Sequence, residues 1–90
     1  MRKIERSKVY KKDIRKLQFS DQHYAKYVAY LGRLVEGKVL PEEAHDHMLI
    51  GAWQGYREFH ISGDLLIIYK VIDNVLYLAR IGSHSELFSS

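Results

Sequence analysis

Apolar residues recur at helical spacing through the first third of the chain. Tyr10, Ile14 and Leu17 share one face of a segment that opens after Ser7, while Lys8, Lys11, Lys12, Arg15 and Lys16 point largely elsewhere. Ser7 is a natural N-cap, so the pattern predicts a first helix ending near Leu17. Phe19-Ser20-Asp21 interrupts the period, and a second helix is predicted from there to about Glu36. Its stripe is Tyr24, Val28, Leu31 and Val35, widened by Tyr27 and Leu34, and is expected to face the core. Gly37 stands where a left-handed residue closes a helix. Before both helices, residues 2–6 alternate charge around Ile4 and suit a short edge strand.

Beyond Gly37 the period changes. Pro41 opens a short helical turn with Glu42, Glu43 and Ala44. Gly51 and Gly55 bracket Trp53 in a loop or short irregular strand. Three strands follow, over residues 56–61, 65–72 and 75–81, joined by turns at Ser62-Gly63 and Asp73-Asn74. Residues 84–88 suit one helical turn after Gly82-Ser83. Helices first and an antiparallel meander second make an α+β fold, with the helices covering one face of the sheet. Ninety residues hold one core, so residues 1–90 are expected to form a single domain.

Composition narrows the chemistry. The chain has 47% apolar residues, enough for a packed core, and no cysteine. Disulfides, thiolate metal sites and a cysteine nucleophile are thereby excluded, which fits a reducing cytoplasm. No apolar run approaches the ~20 residues of a membrane span, and the charged N-terminus lacks a signal sequence. Residues 1–16 hold eight Lys/Arg against two Asp/Glu, whereas residues 17–90 hold six against nine. Such a basic segment docks on phosphate or on an acidic protein, or is a solvated helix face.

The groups able to do chemistry cluster late. His45, His47 and His60 lie in one stretch with Asp46, Arg57 and Asp64, and His84 follows Arg80. On strand parity Arg80 sides with Leu76 and Leu78. His60 and Asp64 flank a turn. A tight turn brings them together as an acid–base pair, and otherwise they are a half-exposed histidine and a turn aspartate. Two chemistries suit the set. His45-x-His47 on an extended chain shares a face and, with His60, Asp64 and His84, offers ligands of zinc type. The same side chains, without metal, suit phosphoryl transfer on RNA. That reaction needs a base for the 2′-OH, an acid for the departing 5′-oxygen and a cation for the charge on phosphorus.

Asp46-His47, Gly51-x-Trp53-x-Gly55-Tyr56-Arg57, His60, Asp64, Leu66-Ile67-Ile68-Tyr69-Lys70, Arg80-x-Gly82-Ser83-His84 and Leu87-Phe88 follow one another in this order. The ordered set resembles the YafQ-type branch of the RelE/ParE toxins, the toxin halves of bacterial toxin–antitoxin pairs. The resemblance implies an endoribonuclease that cuts mRNA in the ribosomal decoding site with neither metal nor cofactor. It implies two N-terminal helices on a mainly antiparallel four-stranded sheet, and a cognate antitoxin that wraps the toxin. The catalytic set it implies is His47, His60, Asp64, Arg80 and His84, with Phe88 as a base-stacking or orienting aromatic. Leu65 replaces a Trp common in the family after the catalytic Asp, and Met48 replaces a usual Pro.

On this reading His84 is the general acid, Arg80 stabilises the transition state, and Asp64 with His60 or His47 supplies the base. Arg57 and the helix cations Lys11, Lys12 and Lys16 are expected to contact RNA, the lysines on the ribosome. The rival is a ParE-like toxin that binds gyrase and performs no chemistry. The four histidines favour the nuclease, since ParE-type toxins generally lack them.

Overall fold

Ser7 and Ser20 start the two long helices. The Ser7 hydroxyl accepts from the Tyr10 N–H at 2.9 Å and the Ser20 hydroxyl from the His23 N–H at 3.1 Å. Each satisfies a donor that a helix start leaves unpaired. The computed structural model describes residues 1–88, in which α1 spans Lys8–Lys16 and α2 spans Asp21–Val35. Gly37 adopts φ 77° just past α2, and the next N–H, of Lys38, bonds the Arg33 carbonyl at 2.8 Å. This is the left-handed closure that favours glycine.

Five strands form one sheet, β1 (Lys3–Arg6), β2 (His47–Met48), β3 (Arg57–Ser62), β4 (Leu65–Ile72) and β5 (Val75–Gly82), in the order β1-β5-β4-β3-β2. The expected four-stranded sheet gains its fifth member from the two-residue β2, too short to show a period. The meander β3-β4-β5 is antiparallel, and β1 pairs with β5 in parallel. Asp73 and Asn74 both have positive φ, 49° and 62°, in the turn between β4 and β5. A two-residue hairpin of this hand matches strand twist.

The helices cover one sheet face. Tyr10, Tyr30 and Leu34 pack there with Phe59, Ile61, Ile67, Tyr69, Leu76, Leu78 and Ile81. The Tyr10 hydroxyl meets that of Tyr27 at 2.5 Å. The expected stripe of α2 is rotated, however: Tyr24 and Val28 are 55% and 52% exposed, and Tyr30 and Leu34 are the buried residues. The reason is tertiary. Tyr30 seats edge-on against Phe59 of β3, and that contact fixes which side of α2 faces the sheet.

The opposite sheet face is covered only in part. Leu66, Ile68 and Ala79 form its apolar floor with Leu87 of α3 (His84–Phe88), and Leu49, Trp53, Tyr56, Tyr77 and Phe88 pack around them. The β4–β5 register runs Ile68↔Arg80 and then Tyr69↔Leu78, so Ala79 is an extra residue in β5. This bulge corrects the parity expected for Arg80. Leu76 and Leu78 face the helices, whereas Arg80 pairs with Ile68 on the opposite face.

Candidate active site

Directly opposed residues share a sheet face. The register therefore sets His47, Glu58, Ile68 and Arg80 in one row across β2, β3, β4 and β5. Three strand spacings separate the ends of that row, ~14 Å. His60 stands two residues along β3 from Glu58, on the same face and opposite Leu66.

Glu58 is the centre of this arrangement. It is the one buried charged residue among the described residues, 5% exposed. Its Oε2 lies 2.7 Å from His47 Nε2 and 3.6 Å from His60 Nε2. Its Oε1 is buried with no hydrogen-bond partner among the described residues. An orphaned carboxylate oxygen is costly, so the site keeps a strong acceptor ready. Glu58 was not among the residues expected. In sequence it sits in an alternating strand, where a glutamate reads as solvent-facing. In the fold it lies between His47 of β2 and Ile68 of β4, and His47 bonds its carboxylate.

Asp46, next to His47 in the chain, is itself anchored to β3 and β4. The Asp46 carboxylate accepts from the Tyr69 hydroxyl at 2.7 Å and from Arg57 Nε at 3.2 Å. Burial and the bond to Asp46 push the Tyr69 phenol far up, so it remains a donor. Arg57 is thereby placed away from the other candidates: it opposes Tyr69 and Met48 on the helix side of the sheet.

The far end of the site is built by α3. Ser83 and Glu86 form a reciprocal cap, with the Glu86 N–H on the Ser83 hydroxyl at 3.2 Å and the Ser83 N–H on Glu86 Oε1 at 2.9 Å. Asp64 accepts from the His84 backbone N–H at 3.2 Å. Asp64 and His84 are thus brought together, both exposed, and the His84 ring lies 4.7 Å from that of Phe88. The expected His60–Asp64 pair does not form among the described hydrogen bonds. The bulge between His60 and Ser62 turns the chain, leaving Asp64 to α3 and His60 to Glu58.

Arg80 is held by Asp13 of α1, through Nε at 2.8 Å and a terminal nitrogen at 3.1 Å. This bidentate pair keeps the guanidinium charged. Lys11, Lys12 and Lys16 are exposed on the outer side of α1.

For a metal ion, the available ligands are His47, Glu58 and His60, whose donor atoms lie within 4.8 Å of one another. Two imidazoles and a carboxylate suit zinc or copper, and the free Glu58 oxygen adds a further donor. The expected His45-x-His47 pairing fails on backbone grounds. His45 has φ 50° at the end of a 3₁₀ turn, so the chain there is not extended.

The residues Glu42–Ala44 and Gly51–Trp53 form 3₁₀ turns. Among the described residues no helix is long and apolar enough to cross a membrane.

Comparison with known proteins gives the chain its relatives. A family described as "Bacterial toxin of type II toxin-antitoxin system, YafQ" matches residues 2–89. The mRNA interferase toxin YafQ of Escherichia coli (strain K12) is 39% identical over 89 residues, covering 97% of this chain and 96% of that protein. In a crystal structure of the E. coli DinJ-YafQ complex, one chain is 33% identical and superposes with a TM-score of 0.85, covering 99% of this chain and 100% of its own. A metal-bound toxin from Helicobacter pylori is 36% identical, with a TM-score of 0.85 over 98% of this chain and 100% of that one. A family match over nearly every residue, and a relative aligned almost end to end, place the chain in the YafQ family of bacterial toxins of type II toxin–antitoxin systems.

Proposed function

We propose that this toxin is an endoribonuclease that cuts mRNA in the decoding site of the ribosome. The observation that carries the reading is the partly covered sheet face on which His47, Glu58, His60 and Arg80 stand, with His84 and Phe88 at its α3 end. The relatives named mRNA interferase support it. The 2′-oxygen attacks the adjacent phosphorus as its P–O5′ bond breaks, leaving a 2′,3′-cyclic phosphate and a 5′-hydroxyl. An imidazole of the His47–His60 pair, anchored by Glu58, takes the 2′-OH proton. His84, exposed and oriented through its backbone by Asp64, gives a proton to O5′. Arg80 offers charge to the non-bridging oxygens, and Phe88 a ring for a base to stack on.

The same reading gives the partners. The decoding site places the protein in the cytoplasm with ribosome and mRNA. An antitoxin restrains it, as the E. coli DinJ-YafQ complex supports. A divalent ion on His47, Glu58 and His60 would supply Lewis-acid charge, but it would also occupy the imidazole lone pairs that proton transfer requires. Acid–base catalysis by the protein's own side chains is therefore the preferred route. The test is cell-free translation with mRNA integrity and 5′-end mapping. New 5′ ends within the coding sequence are expected, whereas intact mRNA with arrested DNA supercoiling would decide for a ParE-like poison.

A further inference from the structure

α1 carries a single acid, Asp13, among five cations, all of which are exposed. Asp13 alone of these charges turns inward, with 13% of its side chain exposed. Its carboxylate makes three bonds, all to β5. Oδ2 accepts from Arg80 Nε at 2.8 Å and from the Ile81 N–H at 3.1 Å, and Oδ1 accepts from an Arg80 terminal nitrogen at 3.1 Å. Two things are joined there. The Ile81 bond seals the sheet edge beyond β1, where the Ser7 hydroxyl does the same for the Ala79 carbonyl at 2.6 Å. The Arg80 bonds fix the direction of the guanidinium that the Ala79 bulge has put on the histidine face.

A guanidinium has five N–H donors in a rigid plane. Asp13 takes two, on one edge of the fork, and three remain on the other. We propose that Asp13 is the positioning residue for Arg80, clamping its fork on one edge so that the other edge is presented to the scissile phosphate. The inference rests on the nuclease reading and on Arg80 as its phosphate donor. It also explains why the basic helix keeps one acid: α1 turns its cations outward and with Asp13 aims the arginine of the site. Freed of the clamp, Arg80 would sample many rotamers, and misplacement of a catalytic group by about 1 Å can cost ~10²-fold in rate.

The test uses single-turnover cleavage of mRNA on programmed ribosomes by wild type, Asp13→Asn, Arg80→Ala and the double variant. Asparagine can still accept from the Ile81 N–H, so the edge stays sealed, but its NH2 group opposes the Arg80 terminal nitrogen, so the bidentate grip and the charge are lost. Asp13→Asn is expected to lower the cleavage rate about 10- to 100-fold at unchanged ribosome affinity and melting temperature. In the Arg80→Ala background it should cost nothing further. An equal loss in both backgrounds would make Asp13 merely structural and overturn the inference, as would a wild-type rate for Asp13→Asn beside an impaired Arg80→Ala. A wild-type rate for Arg80→Ala would remove Arg80 from the mechanism and the clamp's purpose with it. Should Asp13→Asn unfold, NMR of the Arg80 Nε–H in the wild-type protein decides. Its bond to Asp13 should persist when a short RNA with a 2′-deoxy cleavage position is bound. Its loss on binding would make Asp13 a displaced counter-ion and overturn the inference.

Discussion

Asp64 Oδ1 accepts from the backbone N–H of His84 at 3.2 Å, so the aspartate holds the start of α3 rather than the imidazole of His60. The bond leaves the His84 ring free at the surface, stacked obliquely on Phe88. Because it uses only backbone at position 84, removing the ring leaves the helix anchored. His84→Ala is therefore expected to fold normally and to lose mRNA cleavage by ~10²–10⁴-fold, the usual worth of a general acid. Thermal denaturation and single-turnover cleavage read the two sides. Near-wild-type cutting by the folded variant would exclude His84 as the acid.

Glu58 supports both imidazoles from a buried position, and its two obvious replacements should behave differently. Glu58→Gln keeps the shape and an acceptor but removes the charge, so stability should hold while cleavage falls about 10- to 100-fold. Glu58→Ala should also lose about 1–3 kcal/mol of stability, as His47 loses its acceptor. Full activity in Glu58→Gln would confine this carboxylate to a packing role.

Cleavage of free RNA at high enzyme concentration, without ribosomes, is expected to survive excess EDTA. Omitting ribosomes matters because chelation dissociates them. Zinc added to the chelator-free enzyme should slow cutting by engaging His47, Glu58 and His60. Activity that vanishes with EDTA and returns with zinc would instead make the metal the catalyst.

The Ser83 backbone N–H, joined by the Ser83 hydroxyl, holds the Glu86 carboxyl below its ordinary value of 4.5. A depressed folded value means that the cap's contribution is complete above about 4.5 and is lost as pH falls through the lower folded value. Methyl signals of Leu87 should report α3 loosening in that acid window before the sheet unfolds. Glu86→Gln, which still accepts but does not titrate, should remove the step. An unchanged acid titration in that variant would assign the step to another group.

Lys11, Lys12 and Lys16 are exposed on α1. Replacing all three with Gln should weaken ribosome binding and flatten its salt dependence, since each lost phosphate contact releases fewer counterions. Residual cutting of free RNA should change little. Equal affinity and salt slope would assign these lysines to solubility or to the antitoxin.

Much of the frame was legible because local chemistry dictates it: Ser7 as a cap, a break at Phe19-Ser20-Asp21 before the second helix, Gly37 as a closure, Asp73-Asn74 as a hairpin turn. The histidines and Arg80 stood out by residue type. What stayed hidden was tertiary. Whether Glu58 meets His47 depends on a two-residue strand. Which face Arg80 takes depends on one extra residue at Ala79, and which side of α2 is buried depends on where Tyr30 meets Phe59. Arg57, expected to contact RNA, is also tied to Asp46, a bond that depends on the pairing of the short β2 with β3. The Ser83–Glu86 cap is local and carries the S-x-x-E spacing, so it was available to be read.

The parallel pairing of β1 with β5 has a consequence for how the toxin comes into being. Lys3 pairs with Val75 and Arg6 with Leu78, so the strand synthesised first must wait for the one synthesised last in the sheet. Asp13 likewise waits for Arg80, 67 residues later. Contacts this remote along the chain slow folding, because the loop must close before any bond repays it. On a translating ribosome the growing chain therefore lacks an aimed Arg80 until β5 has emerged. The β1 edge of the sheet and the Asp13–Arg80 pair are thus completed together, at the end of synthesis.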